Sequence, residues 1–339
     1  MSRGLAFGHM LASSMLMLGL VGCAETTSPA PVDSVAATAQ IQSASAAEVE
    51  LNVEKIPVQN VEIAYAELGS GSELLLLNGT GSPMADWDPA LLAGLAQNHR
   101  VIIFDYPGLG GSSKAPKKIT FPRLAKWSYE FLDQLQVRNF DVLGWSMGGF
   151  IAQEMMAQQP DRIRRVILSA TNPGGSRAIL GPKWAQEIDS DSGSGIDSYL
   201  ATNFPLDKCG RKAGKQEVRR VNRAISEGRY PNSNVPGRTY RQMVYAEDPW
   251  LRSNKNWKRL RSSALPVLAI TGKDDVLTPP KNSKRIAGAV RDGYLTIVRG
   301  AAHAFLFQDP DLISKYMSDF LTATDPRSIV TRHLDGKCA

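Results

Sequence analysis

Residues 139–150 read NFDVLGWSMGGF: an apolar, strand-like run, a cluster of small residues, then the start of a helical pattern with no loop between them. Inside it, Gly144-Trp145-Ser146-Met147-Gly148 is a G-x-S-x-G pattern. A serine held between a buried strand and a helix must occupy a strained turn, and glycines flank it because side chains there would collide with the neighbouring strand and helix. The helix that follows aims its free N–H groups and the positive end of its dipole back at the serine. Ser146 is therefore a candidate nucleophile.

Around this stretch the chain alternates. Residues 49–57 and 61–68 suggest a β-hairpin turning at Gln59 and Asn60. The runs at 73–77 (ELLLL) and 100–104 (RVIIF) are short and continuously apolar, as strands covered on both faces are. Helical patterns are expected over 86–97, 121–135 and 150–159, and strands over 140–144 and 165–170. From Thr171 to Ser263 no comparable strand is present, only helix-like segments rich in Trp, Arg and Gly. The alternation resumes with a strand at 266–271, a helix at 280–290, a strand at 294–298 and a helix at 309–321. This order implies an α/β fold with a mostly parallel, doubly wound sheet, interrupted after one strand by a helical lid. The core is expected to comprise residues 49–175 and 264–325, the lid 176–263, and a tail 326–339.

In such a sheet, reacting groups gather at the carboxyl ends of the strands. A serine hydroxyl needs a base, usually a histidine oriented by a carboxylate. Of the four histidines, His9 lies in the N-terminal leader, His99 precedes a strand at the wrong sheet end, and His333 lies beyond the last helix. His303 directly follows the last strand and is the candidate base. The strand at 266–271 ends in Gly272-Lys273-Asp274-Asp275-Val276-Leu277-Thr278-Pro279, which offers Asp274 or Asp275 as the orienting acid, or as turn and capping residues.

Ser, acid and His in that chain order resemble the α/β-hydrolases, the broad group of serine esterases, lactonases, carbon–carbon hydrolases and cofactor-free haloperoxidases. Residues 105–112 are similar to the family's D-x-P-G-x-G-x-S loop, and residues 300–304 to its G-x-x-H-x block, with Ala302 where Gly is common. Residues 272–279 are similar to its G-x-x-D-x-x-x-P, which selects Asp275. The resemblance implies a triad of Ser146, Asp275 and His303 with no metal or organic cofactor. It places the oxyanion donors on the backbone N–H groups of Met147 and of Thr80, in Asn78-Gly79-Thr80-Gly81, where Asn78 replaces the usual His. The expected reaction is hydrolysis of a carboxylic ester or related acyl bond of a small-molecule substrate. Lactone, carbon–carbon and perhydrolysis chemistry on the same fold are the alternatives. Trp87 and Trp145 are candidates to line the acyl pocket.

Gly79-Thr80-Gly81 after a strand also invites a dinucleotide-binding reading, which fails because Met84 holds the third glycine position and Pro83 intrudes. Dehalogenases and epoxide hydrolases of this fold carry Asp at the elbow, so Ser146 excludes them. A binding protein that had lost turnover would be expected to lack a triad member, and none is substituted.

Residues 1–22 form a leader in which Arg3 precedes a Met- and Leu-rich apolar run, laid out like a secretory signal peptide. Its end, Leu20-Val21-Gly22-Cys23, resembles a bacterial lipobox, which implies lipidation of Cys23 and a membrane anchor; Ala24 leans towards the outer membrane in a Gram-negative host. Residues 23–48 are small and polar and read as a tether. Export would place Cys209 and Cys338 in an oxidising compartment, where they are either bridged or free thiols. A composition of 43% hydrophobic and 21% charged residues excludes wholesale disorder and a polytopic membrane protein. The net charge of +6 is no argument for nucleic acid without a motif. Lys208, Arg211, Lys212, Lys215, Arg219, Arg220 and Arg223 form a basic run in the lid, read either as a solvated helix face or as a surface for anionic headgroups.

Overall fold

The computed structural model describes residues 49–190 and 195–339. The leader, Cys23 and the tether lie outside the described residues.

The chain runs β1 (Glu54–Val58), β2 (Val61–Leu68), β3 (Ser72–Leu77), α1 (Pro89–Leu95), β4 (His99–Phe104), α2 (Phe121–Gln134), β5 (Phe140–Trp145), α3 (Met147–Gln158) and β6 (Ile163–Ser169). A helical lid follows: α4 (Lys183–Ser190), α5 (Ile196–Asn203), α6 (Lys208–Ser226), α7 (Gly237–Leu251) and α8 (Asn254–Ser262). The core resumes with β7 (Pro266–Gly272), α9 (Lys281–Ala289), β8 (Asp292–Arg299), α10 (Phe305–Gln308), α11 (Pro310–Thr322) and β9 (His333–Asp335).

The strands form one sheet in the order β1-β2-β4-β3-β5-β6-β7-β8-β9. Only the β1–β2 and β2–β4 pairings are antiparallel; the rest are parallel. The apolar runs occupy the middle: Leu74 to Leu77, Val101 to Ile103 and Val142 to Leu143 are essentially inaccessible. Helices cover both faces, which is why these strands read as continuous hydrophobic runs and not as alternation. Reversal of strand order between β3 and β5 puts a crevice at their carboxyl ends, immediately above the elbow.

Four local expectations need correction. β1 starts at Glu54, not at Val49; Val49 and Leu51 are buried, but they bond to Arg229, just past α6, instead of to a strand. The helix expected over 86–97 is split into a short 3-10 turn at Met84–Asp86 and α1, because Asp88 caps Ala90 N and Pro89 opens the new helix. α3 begins at Met147, directly after the serine, so the turn consumes no extra residues. Residues 326–339 are not a plain tail: β9 adds to the sheet edge in parallel register, Ile297 to His333 and Val298 to Leu334. A three-residue polar strand carries too little periodicity to be read from sequence.

The sulfurs of Cys209 in α6 and Cys338 after β9 lie at bonding distance with a Cα separation of 5.7 Å, inside disulfide geometry. The bridge ties the first turn of the longest lid helix to the end of the chain.

Candidate active site

The elbow is built by close backbone approach. A Cβ on Gly148 would lie 2.0 Å from Leu77 O, and one on Gly144 would lie 2.5 Å from Gly148 O, so β5, β3 and α3 can meet only through glycine. Ser146 takes φ 55° and ψ −121°, a left-handed backbone that costs on the order of 1–3 kcal/mol in an L-residue. The surroundings hold it there: Ser146 N donates to Ser169 O at 2.9 Å, and Ser146 O accepts from Gly149 N and from Thr171 Oγ1. The hydroxyl makes no capping bond to α3, which leaves it unspent for a base.

His303 is buried and follows β8 by way of Gly300. Its Nδ1 sits 3.1 Å from both oxygens of Asp275. The Asp275 carboxylate also accepts from Leu277 N, Thr278 N, Thr278 Oγ1 and Thr271 Oγ1, at 2.8–3.0 Å. A carboxylate so engaged is an acceptor only, so the imidazole proton belongs on Nδ1 and Nε2 keeps a free lone pair. Trp145 brings the elbow against this pair: its Nε1 donates to His303 O at 3.2 Å and the two rings lie 5.6 Å apart. Burial pulls the His303 imidazole down, but the Asp275 charge and hydrogen bond, with a further contribution from Asp189 of the lid, raise it net above its ordinary value of 6.5. Asp274, the other acid at this turn, takes no part in that network.

On the opposite side of Ser146, a Cβ on Gly79 would touch the Trp145 ring at 3.3 Å and the Ser146 Cβ at 3.5 Å. The turn carrying Thr80 thus flanks the serine, and Met147 N–H stands at the first position of α3, where no intrahelical acceptor exists. The Asn78 departure from the family pattern has a structural role: Nδ2 donates to Pro83 O at 2.8 Å, and Tyr106 OH donates to Asn78 O at 3.1 Å. Asp105 completes the scaffold by accepting from Met84 N and Gly111 N, both at 2.7 Å.

Trp145 packs between the turn at Gly79 and His303. Trp87 is fully buried behind it, in contact with Trp145 and Phe307, and so backs the site without facing it. His99, set aside in the sequence, is a buried structural residue bonded to Ser72 and Ser318, and burial lowers its pKa to about 4.

The lid contributes residues that no sequence signal marks. Glu247 of α7 accepts from Thr80 Oγ1 at 2.5 Å, and burial pushes its carboxyl up to about 7, against that hydrogen bond. Tyr240, on the same helix, covers Gly81 and donates to the backbone oxygen of Asp189 at 2.7 Å. Arg220 of α6 leaves the basic face: it grips the inaccessible carboxylate of Asp88 at 2.5–3.1 Å and donates to Phe307 O at 2.8 Å. One lid arginine therefore ties the cap of α1 to α10, the element next after His303. The reading of Arg220 as part of a solvated face is corrected accordingly.

A family model described as alpha/beta hydrolase fold matches residues 74–310, from β3 past His303 to the start of α11. The chain belongs to this hydrolase family. It is 27% identical over 259 residues to a poly(3-hydroxyalkanoate) depolymerase of Ectopseudomonas oleovorans, covering 76% of this chain and 87% of that protein. It is 25% identical over 261 residues to a pimeloyl-[acyl-carrier protein] methyl ester esterase of Pseudoalteromonas atlantica, covering 75% of this chain and 96% of that protein. Among solved structures, an α/β-hydrolase fold protein from Chitinophaga pinensis superposes with a TM-score of 0.67 at 25% identity, over 83% of this chain and all of that one.

Proposed function

We propose that this α/β-hydrolase cleaves a carboxylic ester or closely related acyl bond through an acyl-enzyme. The observation that carries the reading is the placement of His303 Nδ1 against both oxygens of Asp275, which leaves Nε2 free to accept, while Trp145, the residue before the strained, uncapped Ser146, packs on the His303 ring. His303 removes the Ser146 proton as Oγ attacks the acyl carbonyl carbon. Negative charge develops on the carbonyl oxygen, towards the N–H groups of Thr80 and Met147; each such donor is typically worth about 3 kcal/mol in the transition state. Asp275 holds the imidazole in its tautomer and offsets its positive charge. As the tetrahedral intermediate collapses, His303 hands its proton to the leaving alkoxide. Water then repeats the sequence on the acyl-enzyme, with His303 again as base, and releases the acid. The chemistry draws on side chains and backbone alone. One relative is named for methyl ester cleavage, which supports the ester reading.

The test is a turnover panel of short- and long-acyl esters, lactones and amides on the parent and on Ser146→Ala. Ester turnover is expected to fall by at least about 10³-fold in the variant; equal rates on the best substrate would refute the mechanism. We further propose that the chain is exported and anchored by lipid on Cys23, in the outer membrane if the host is Gram-negative and otherwise on the outer face of the cell membrane.

A further inference from the structure

α6 divides its surface sharply. Gly210, Ala213, Gly214, Glu217, Val221 and Ala224 face the protein and are buried. The opposite side presents Lys208, Arg211, Lys212, Lys215 and Arg219, which recur at three- and four-residue intervals and so share one stripe of the helix. Among the described residues, none of these five forms an ion pair, whereas Arg223, further along, pairs with Glu227. The acidic residues of the helix region are spent elsewhere: Asp207 caps the helix by accepting from Gly210 N, and Glu217 is buried on the inner face. The five cations, with Gln216, line an open depression beside Leu206, whose apolar side chain is 57% exposed.

Like charges at this spacing repel, a cost that an anionic counter-surface would relieve. We infer that this face of α6 is a docking surface for an anionic lipid bilayer, with the cations on the headgroups and Leu206 entering the apolar boundary.

Three features favour a bilayer over other anionic partners. The stripe runs along a 19-residue helix about 28 Å long, so its charges lie in one row along an open surface and not around an enclosed channel for a single strand. An exposed leucine at the end of a cationic row suits an interface with headgroups above and acyl chains below. The first described residues are also stitched to this helix's far end: Leu51 N donates to Arg229 O at 2.8 Å and Arg229 Nη1 to Val49 O at 2.7 Å. The chain preceding Val49 therefore leaves the domain beside α6, and residues 24–48 can span no more than about 90 Å, a reach that keeps the helix near any membrane holding Cys23. The Cys209–Cys338 pairing and the Arg220–Asp88 clamp fix the helix to the core, so the stripe is presented by a rigid element. The surface acts by charge and does not require the lipid on Cys23.

The experiment uses the full chain carrying Cys23→Ala, with and without Lys212→Gln/Lys215→Gln/Arg219→Gln, pelleted with vesicles of phosphatidylcholine alone or with about a third phosphatidylglycerol. Parent binding to the anionic vesicles is expected to exceed binding to the neutral ones by at least tenfold and to fall steeply between about 0.05 and 0.5 M salt. The triple variant should lose roughly 100-fold in partitioning to anionic vesicles, at about fivefold per cation, while circular dichroism and thermal unfolding match the parent. Equal binding to both vesicle types, retention by a correctly folded triple variant, or tighter binding of a single-stranded oligonucleotide than of anionic vesicles at matched salt would each overturn the inference. A triple variant that failed to fold is answered by Lys212→Gln alone, for which about a fivefold loss is expected and an unchanged partition refutes.

Discussion

Replacing Arg220 by methionine isolates the contact through which the lid holds the catalytic core. Methionine keeps much of the aliphatic stem and removes the guanidinium, so packing changes little while two interactions vanish. The first is the fork on Asp88, whose side chain is wholly inaccessible; the second is the bond to Phe307 O. Breaking one side of a buried pair costs about 3–5 kcal/mol, because the remaining charge is left without compensation. Arg220 itself is 28% exposed, so water entering its vacated path offsets part of this, and Asp88 keeps its bond from Ala90 N. The lower end, about 3 kcal/mol, is the expected total at neutral pH, equivalent to roughly 6–10 °C in Tm for a domain of this size.

The cost should depend on pH with a definite sign. Burial already raises the Asp88 carboxyl above its usual range, opposed mainly by Arg220. Without the arginine it rises further, so the folded state holds its proton over a wider window than the unfolded state does. Stability then falls as pH climbs from the unfolded carboxylate value through that window. The defect is therefore smallest at acid pH, near the unfolded carboxylate value, and grows as pH rises through the window set by the raised folded-state value. Urea unfolding at pH 5 and pH 8, on the parent, Arg220→Met, Asp88→Asn and the double variant, measures it. The double variant should cost less than the sum of the singles by at least about 1.5 kcal/mol. A defect under about 1 kcal/mol at pH 8, equal defects at both pH values, or additive singles would refute the reasoning.

Two further outcomes are expected. Asp189→Asn removes a negative charge that helps hold the His303 imidazole up; because the base must be neutral to act, the acid limb of the kcat/KM profile should move to lower pH. An unmoved or upward-shifted limb, measured with the best ester from the turnover panel, would show that Asp189 does not act on the imidazole. For the anchor, radiolabelled palmitate fed to expressing cells should enter the parent chain and be absent from Cys23→Ala; label persisting in the variant would place the lipid elsewhere, and an unlabelled parent would remove the anchor.

What the sequence determined follows from short-range constraints. Gly144 and Gly148 are needed because β5 runs into α3 with only Ser146 between, and that demand is written in five adjacent residues. His303 and the Asp274–Asp275 pair were marked for a related reason: each trails an apolar strand, and strand ends in a parallel sheet converge on one edge, while the choice of Asp275 came from the resemblance to the family pattern. The elements that were misread lack such local force. β9 is three residues long and exists because β8 offers it an unpaired edge. α1 starts late because Asp88 caps Ala90 N and Pro89 opens the helix, a choice reinforced by an arginine 132 positions away.

Only the tertiary structure decided how the lid meets the site. Glu247 reaches Thr80 across 167 positions, and Tyr240 of the same α7 reaches the backbone oxygen of Asp189 in α4 across 51. Neither pairing leaves a periodic or compositional trace, since a single charged residue on a lid helix looks the same whether it faces water or a catalytic loop. The basic run shows the same limit. Seven cations in sequence became one structural clamp, one paired surface arginine and five unpaired charges on a common stripe once the helix chose which side to bury. Spacing along a chain fixes which residues share a face; what that face meets is fixed by packing between elements far apart in sequence.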